Sequence, residues 1–219
     1  MDLLSSIETE YALAALDHAG KRVNSNAVFE AFMAAARTQT ITMPAAAGGV
    51  FLSNGARLYL DYGAHPEYAA PECAGHPGEL IAHVQAGHAI LQRIALEVEA
   101  LPEVASVRIW RSNVDYWTRQ TWGCHENYLT KRAVGELAKD LVPFLVTRVV
   151  YAGAGGWNPN HYGLEFSLSP RLQLFTNTIS GHTTSQRPII NTRDESHSGE
   201  GYHRVHLICR DSLHSQLGD

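Results

Sequence analysis

Two hydrophobic periodicities interleave along this chain, and their order constrains the fold more than any other feature. Residues 5–15 (SSIETEYALAA) alternate Ile7, Thr9 and Tyr11 against Glu8 and Glu10, the period-2 pattern of a strand with two carboxylates on one face. NSNAVFEAFMAAARTQ (24–39) switches to a helical stripe of Val28, Phe29, Phe32, Met33 and Ala36, with Asn and Ser supplying a cap. TMPAAAGG (42–49) reads as a loop, and GVFLSNGARLYLD as a hairpin with Asn54-Gly55 as a type I′ turn. PECAGHPGE (71–79) is irregular. From Glu79 to Leu101 the apolar residues Leu80, Ile81, Val84, Leu91, Ile94, Val98 and Leu101 recur at helical steps, and Pro102 follows. VASVRIWRSN (104–113) reads as a strand. The segment starting HENYL is extended and then helical, with a break expected near Pro143. After a Gly/Asn/Pro loop at 152–160, LEFSLSPR and YHRVHLICR read as strands. Strands and helices mix without a strict βαβ rhythm, which predicts an α+β fold with an antiparallel sheet.

Length and charge narrow the function. The 219 residues suit one domain, expected over 1–219, and a 45% apolar fraction is enough for a sizeable core. A net charge of -5 argues against a nucleic-acid partner. Cys73, Cys124 and Cys209 are odd in number and lack CxxC spacing, so a disulfide framework is not expected and a reducing cytoplasm is. MDLLSSIETEYALAAL has no basic n-region, and no window of 18 consecutive apolar residues exists, so neither a signal peptide nor a membrane span is expected.

Several ionisable groups gather near predicted strand ends. Glu8 and Glu10 read either as a solvated strand face or as ligands for a hard cation such as Mg²⁺, which takes carboxylate and phosphate oxygens. In RLYLDYGAHPEY (57–68), Tyr59 and Asp61 share one strand face and Glu67 lies just beyond. The stretch is either a polar turn or a site with Asp61 as general base and Glu67 on a metal. His125-Glu126-Asn127 places a histidine beside an acid but is not HExxH, so a zinc protease has poor support. His206 shares its strand face with Arg204 and Ile208, a setting more usual for a satisfied core histidine than for a ligand. QRPIINTRDESH (186–197) carries Arg187, Arg193, Asp194, Glu195 and His197, and arginine forks bind phosphate. Gly153-Ala-Gly155-Gly156 is not followed by Lys-Ser/Thr, so no P-loop is indicated, and GxSxG is absent. Taken together, carboxylates, histidines and arginines at strand ends fit magnesium-assisted chemistry on a phosphate.

IETEYAL, NGARLYLDYGAHPEYAAPEC, GCHENYL, PFLVTR, GAG, RPIINTRDESH and YHRVHLI stand here in the same order as in the Pup ligase / Pup deamidase family of glutamine synthetase-like carboxylate–amine ligases, which the chain resembles from about residue 6 to residue 212. The resemblance implies a curved antiparallel sheet holding ATP and Mg²⁺, with helices packed on its convex face. It places Glu8, Glu10, Tyr59, Glu67, His125 and His206 on the metal-binding face and Asp61 on the catalytic aspartate. Arg187 and Arg204 become phosphate contacts for the nucleotide or acyl phosphate. The implied reaction joins the C-terminal glutamate side chain of Pup, the prokaryotic ubiquitin-like protein, to a substrate lysine through a glutamyl phosphate.

The family's deamidase branch carries a long insert where this chain has only Thr40 to Val50, which favours the ligase branch. Departures from the family pattern are Arg111-Ser112-Asn113 for Lys-Asn-Asn, Ser6 for Gly, and RDESHSG for RDEPHAD. Full-length members continue past the position of Asp219 into a C-terminal Pup-binding domain. The chain is thus expected to correspond to the N-terminal half of the family's large domain, with a complementing C-terminal chain as a possible partner. The alternatives to ligation are a depupylase and a catalytically inactive, truncated paralogue.

Overall fold

The computed structural model describes residues 4–39, 41–61, 63–182, 186–193, 198–199 and 201–213. Among the described residues the fold is α+β, with fourteen strands and three helices, and every strand pairing given a residue register is antiparallel except β12 with β13. The chain forms two compact units.

One unit comprises Thr9–Pro71 and Pro77–Arg111. The first strand, β1 (Leu4–Glu10), ends in it, and β2 (Ala12–Leu16) follows after a break at Tyr11, so the single predicted strand is two. At the break the Tyr11 N–H donates to the Pro66 carbonyl (2.8 Å), and the Tyr11 ring meets His88 edge-on. Helix α1 (Ser25–Gln39) starts where predicted, since Asn24 Oδ1 accepts the N–H groups of Asn26 (3.0 Å) and Ala27 (3.3 Å). The predicted loop at 42–49 contains a short strand, β3 (Thr42–Pro44), and a 3₁₀ turn. The strands β4 (Val50–Leu52), β5 (Arg57–Asp61) and β6 (His65–Ala69) continue in the order β3-β4-β5-β6.

The β4–β5 turn is not type I′, because Gly55 (φ 85°) has a positive φ and Asn54 does not. The Gly55 N–H bonds the Leu52 carbonyl, and Asn54 Oδ1 takes the Ala56 N–H, the pattern of a longer hairpin loop with glycine in its left-handed position. Helix α2 (Pro77–Glu99) and strand β8 (Ser106–Trp110), which pairs with β2, complete this unit. One core unites Phe32, Leu58, Tyr68, Leu91, Ile94 and Val98, all nearly inaccessible. Full burial of such a side chain contributes about 1.5–3 kcal/mol. Leu58 and Tyr68 point to this helix-covered face, so Arg57, Tyr59, Asp61 and Glu67 necessarily stand on the other.

The other unit comprises residues up to Glu8, Glu72–His76 and residues from Ser112 on. It holds the start of β1, the short β7 (Cys73–Ala74) paired to it, β9 (Cys124–Thr130), helix α3 (Val134–Ala152) and the hairpin of β10 (Gly156–Trp157) with β11 (Phe166–Ser167). Next come β12 (Asn177–Ser180), β13 (Pro188–Asn191) and β14 (His203–Arg210), in the sheet order β12-β13-β14-β9-β1. Helix α3 runs through Pro143 without the predicted break. It packs Ala138 and Leu145 on Ile190, Val205 and Leu207. Cys73, Cys124 and Cys209 form no disulfide among the described residues.

Candidate functional site

Strand register assembles the ionisable residues, and each unit carries its own cluster. In the unit with α3, β14 pairs antiparallel with β9, and His206 stands directly opposite Asn127. Opposed residues share a face, so His206, Asn127, Arg204 and His125 all lie on the side away from α3. Glu8 of β1 reaches the same place. Its Oε2 is 3.4 Å from His125 Nδ1 and 3.5 Å from His206 Nε2, and one ligand atom from each of the three residues lies within 4.8 Å of the others. The two imidazoles meet edge to face at 5.1 Å. Arg204 donates through Nη2 to Glu8 (3.1 Å) and through Nε to Asn127 Oδ1 (2.7 Å).

Burial shapes the charges here. Desolvation would raise the Glu8 carboxyl, but the neighbouring imidazoles of His125 and His206 outweigh it and hold Glu8 well below the ordinary carboxylate range. Burial pushes His206 down, and the neighbouring Glu8 carboxylate only partly offsets that. An ionised Glu8 and neutral imidazoles on His125 and His206 are the forms in which all three offer lone pairs to a cation.

In the unit with α1 and α2, Tyr59 stands opposite Glu67 and Asp61 opposite His65. Oxygens of Glu10, Asp61 and Glu67 come within 4.8 Å of one another. Glu10 and Glu67 are buried and Asp61 is half-buried. Two unit charges within 4.8 Å repel by about 3 kcal/mol or more at an effective dielectric of ~20, which a divalent cation would convert into attraction. His65 Nδ1 lies 2.9 Å from Glu10 Oε2, and both residues are buried. The guanidinium of Arg57 sits 4.2 Å from the centre of the Tyr59 ring.

The structure therefore brings the expected residues into two sets, Glu8 with His125 and His206, and Glu10 with Asp61 and Glu67, and it places Tyr59 on the face of the second. Arg204 joins the first set. Arg187 immediately precedes β13, and its Nη1 donates to Thr121 Oγ1 (3.2 Å). Asp194, Glu195 and His197 lie outside the described residues. Sequence reasoning missed His65, although its two-residue spacing from Glu67 put it on the same strand face. It also gave Glu126 no partner. Glu126 points to the α3 side and accepts both oxygens' worth of bonding from Arg148 Nη1 (2.8 and 3.1 Å), a buried ion pair behind His125.

A model of the Pup-ligase protein family matches residues 4–218. A Pup–protein ligase of Acidimicrobium ferrooxidans is 39% identical over 217 residues, covering 96% of this chain and 46% of the relative. That of Nakamurella multipartita is 40% identical over 221 residues (97% and 47%), and that of a Nocardioides species 44% identical over 174 residues (76% and 38%). Among solved structures, the crystal structure of the complex between Pup and its ligase PafA matches with a TM-score of 0.81 and 32% identity, over 99% of this chain and 44% of that one. The chain spans less than half the length of these relatives.

Proposed function

This chain belongs to the Pup-ligase family, and on that premise we propose that it is the catalytic portion of an ATP-dependent ligase joining the C-terminal glutamate of Pup to substrate lysines. It acts in the cytoplasm and corresponds to the N-terminal half of the family's large domain, working with the Pup-binding portion that its longer relatives carry. Among the described residues no helix is long and apolar enough to cross a membrane.

The observation that carries the reading is the convergence of Glu10, Asp61 and Glu67. The oxygens of Glu10 and Glu67, with the Tyr59 phenol oxygen on the same face, suit Mg²⁺ and leave Asp61 beside them as a base. The Glu8, His125 and His206 set mixes one carboxylate with two imidazoles and would hold a second divalent ion. Bound Mg²⁺ would neutralise phosphate charge and polarise the transferring phosphoryl group. Arg187 and Arg204 would bind phosphate oxygens, stabilising the charge that builds as a carboxylate oxygen of the Pup glutamate attacks the γ-phosphorus and ADP leaves with the bridging oxygen. Activation is needed because a carboxylate has no competent leaving group. Asp61, half-buried at the end of β5, would take a proton from the lysine ε-ammonium, freeing the lone pair that attacks the acyl carbon. Phosphate then leaves and an isopeptide bond remains.

The relatives cited are ligases, which favours ligation over hydrolysis of the same bond. Mixing the chain with Pup, a lysine-bearing substrate, Mg²⁺ and ATP, alone and with the Pup-binding portion of a relative, should yield an adduct by intact-mass spectrometry. Asp61→Asn should slow its formation on the order of 100-fold or more, the scale of general-base catalysis. An ATP-independent adduct, no adduct under either condition, or an unaffected Asp61→Asn variant would sink the reading.

A further inference from the structure

Two buried amides flank the Glu8–His125–His206 cluster. Asn127 on β9 and Asn191 on β13 each stand directly opposite His206 of β14, one on either side, so all three share the sheet face that carries Glu8 and His125. Asn191 is 1% exposed and Asn127 9%. The orientation of each amide is fixed by an obligate donor. Asn191 Oδ1 accepts the Arg193 backbone N–H at 2.7 Å, and Asn127 Oδ1 accepts Arg204 Nε at 2.7 Å. Neither donor could bond an NH₂ group, so neither amide can be flipped. Each Nδ2 is consequently a buried pair of N–H donors, and neither has a hydrogen-bond partner among the described residues. Buried donors are almost always satisfied, and two orphans on one face beside one histidine call for acceptors.

We propose that Asn127 and Asn191 are ligand-binding residues that donate their Nδ2 hydrogens to an oxyanion held at the Glu8–His125–His206 cluster. The inference rests on the reading of that cluster as a cation site. An amide NH₂ donates without accepting, so it selects oxygens that carry lone pairs, and Arg204 beside Asn127 sets the sign of the charge. A cation on the three ligands and two amides beside them form a complementary cradle for a phosphoryl or carboxylate group. The two sources of such oxygens, a nucleotide phosphate and a glutamyl side chain, share this chemistry.

The test is calorimetric titration of the 219-residue chain, in Mn²⁺, with a nonhydrolysable ATP analogue in one arm and glutarate in the other. Asn127→Asp and Asn191→Asp keep the shape but replace a donor by a negative acceptor. Each should weaken one of the two probes on the order of tenfold or more, and the arm affected identifies the oxyanion's source. Mn²⁺ affinity without either probe, read by electron paramagnetic resonance, should not fall, an outcome that a collapsed site would not give. Should an aspartate variant fail to fold by circular dichroism, Asn127→Ser and Asn191→Ser remove the same donor without adding charge. Glu8→Gln separates the two levels of the argument. If it abolishes probe binding while folded Asn127 and Asn191 variants bind within about twofold of wild type, the amide proposal alone is wrong. If Glu8→Gln also binds normally, or the wild type binds neither probe, the reading of the cluster falls with it.

Discussion

Glu8 concentrates the residue-scale physics of the first cluster. It is a carboxylate kept ionised against its own burial by two histidines, and Arg204 contacts it at 3.1 Å. The consequence for stability has a definite sign. Below the ordinary value of 4.5 an unfolded chain takes up a proton that folded Glu8 refuses, so acidification from there removes stability. His206 acts in the same direction from 6.5 downward, because burial disfavours its charged form in the folded state. In chelator-treated protein, urea unfolding should show stability falling as pH drops from 7 to 4, and Glu8→Gln should flatten the part below 4.5. A variant with an unchanged acid limb would show that the histidines do not hold the Glu8 charge. Glu8 and Glu10 were legible as a pair because a period-2 strand puts them on one face. Their separate partners were not legible. His65 and Glu10 are 55 residues apart in sequence, and only the β5–β6 register and the end of β1 bring them together.

At the scale of elements, helix α2 shows what a sequence pattern omits. Its apolar stripe was readable, yet Gly87 inside it was silent. An added Cβ there would lie 2.5 Å from the Tyr68 ring, so the glycine is a notch that lets Tyr68 of β6 sink to 1% exposure. The Tyr68 hydroxyl then donates to the His83 carbonyl (3.1 Å) and accepts from Asn54 (2.9 Å), pinning β6 and the β4–β5 turn to the helix. Glu67, one residue away on the opposite face, takes its position from this contact. Gly87→Ala should therefore destabilise the chain by about 1–3 kcal/mol through overpacking, although alanine is the better helix former by about 1 kcal/mol. A thermal melt that rises instead of falling would mean the ring can move aside. Other elements misled in instructive ways. Pro143 predicted a break because proline removes a helix hydrogen bond, but packing of Leu145 and Ala138 on Ile190, Val205 and Leu207 carries α3 through it. Asn54-Gly55 suggested the tightest hairpin, yet the Asn54 side chain bonds the Ala56 N–H and its own backbone keeps a negative φ.

At the scale of the whole molecule, the mixture of periods sufficed for an α+β fold, and the order of the quoted motifs for its family. What the pattern lacked was the pairing of distant strands, β9 with β14 and β14 with β13, which turns isolated histidines and amides into one surface. The proposed ligation turns on ATP making a leaving group of a carboxylate oxygen. The measurement that meets this claim most directly follows that oxygen. Pup carrying ¹⁸O in its C-terminal glutamate side chain, incubated with the chain, the Pup-binding portion of a relative, Mg²⁺, ATP and a lysine substrate, should give one ¹⁸O-labelled phosphate for each isopeptide bond formed. Isopeptide formation with unlabelled phosphate would contradict the account.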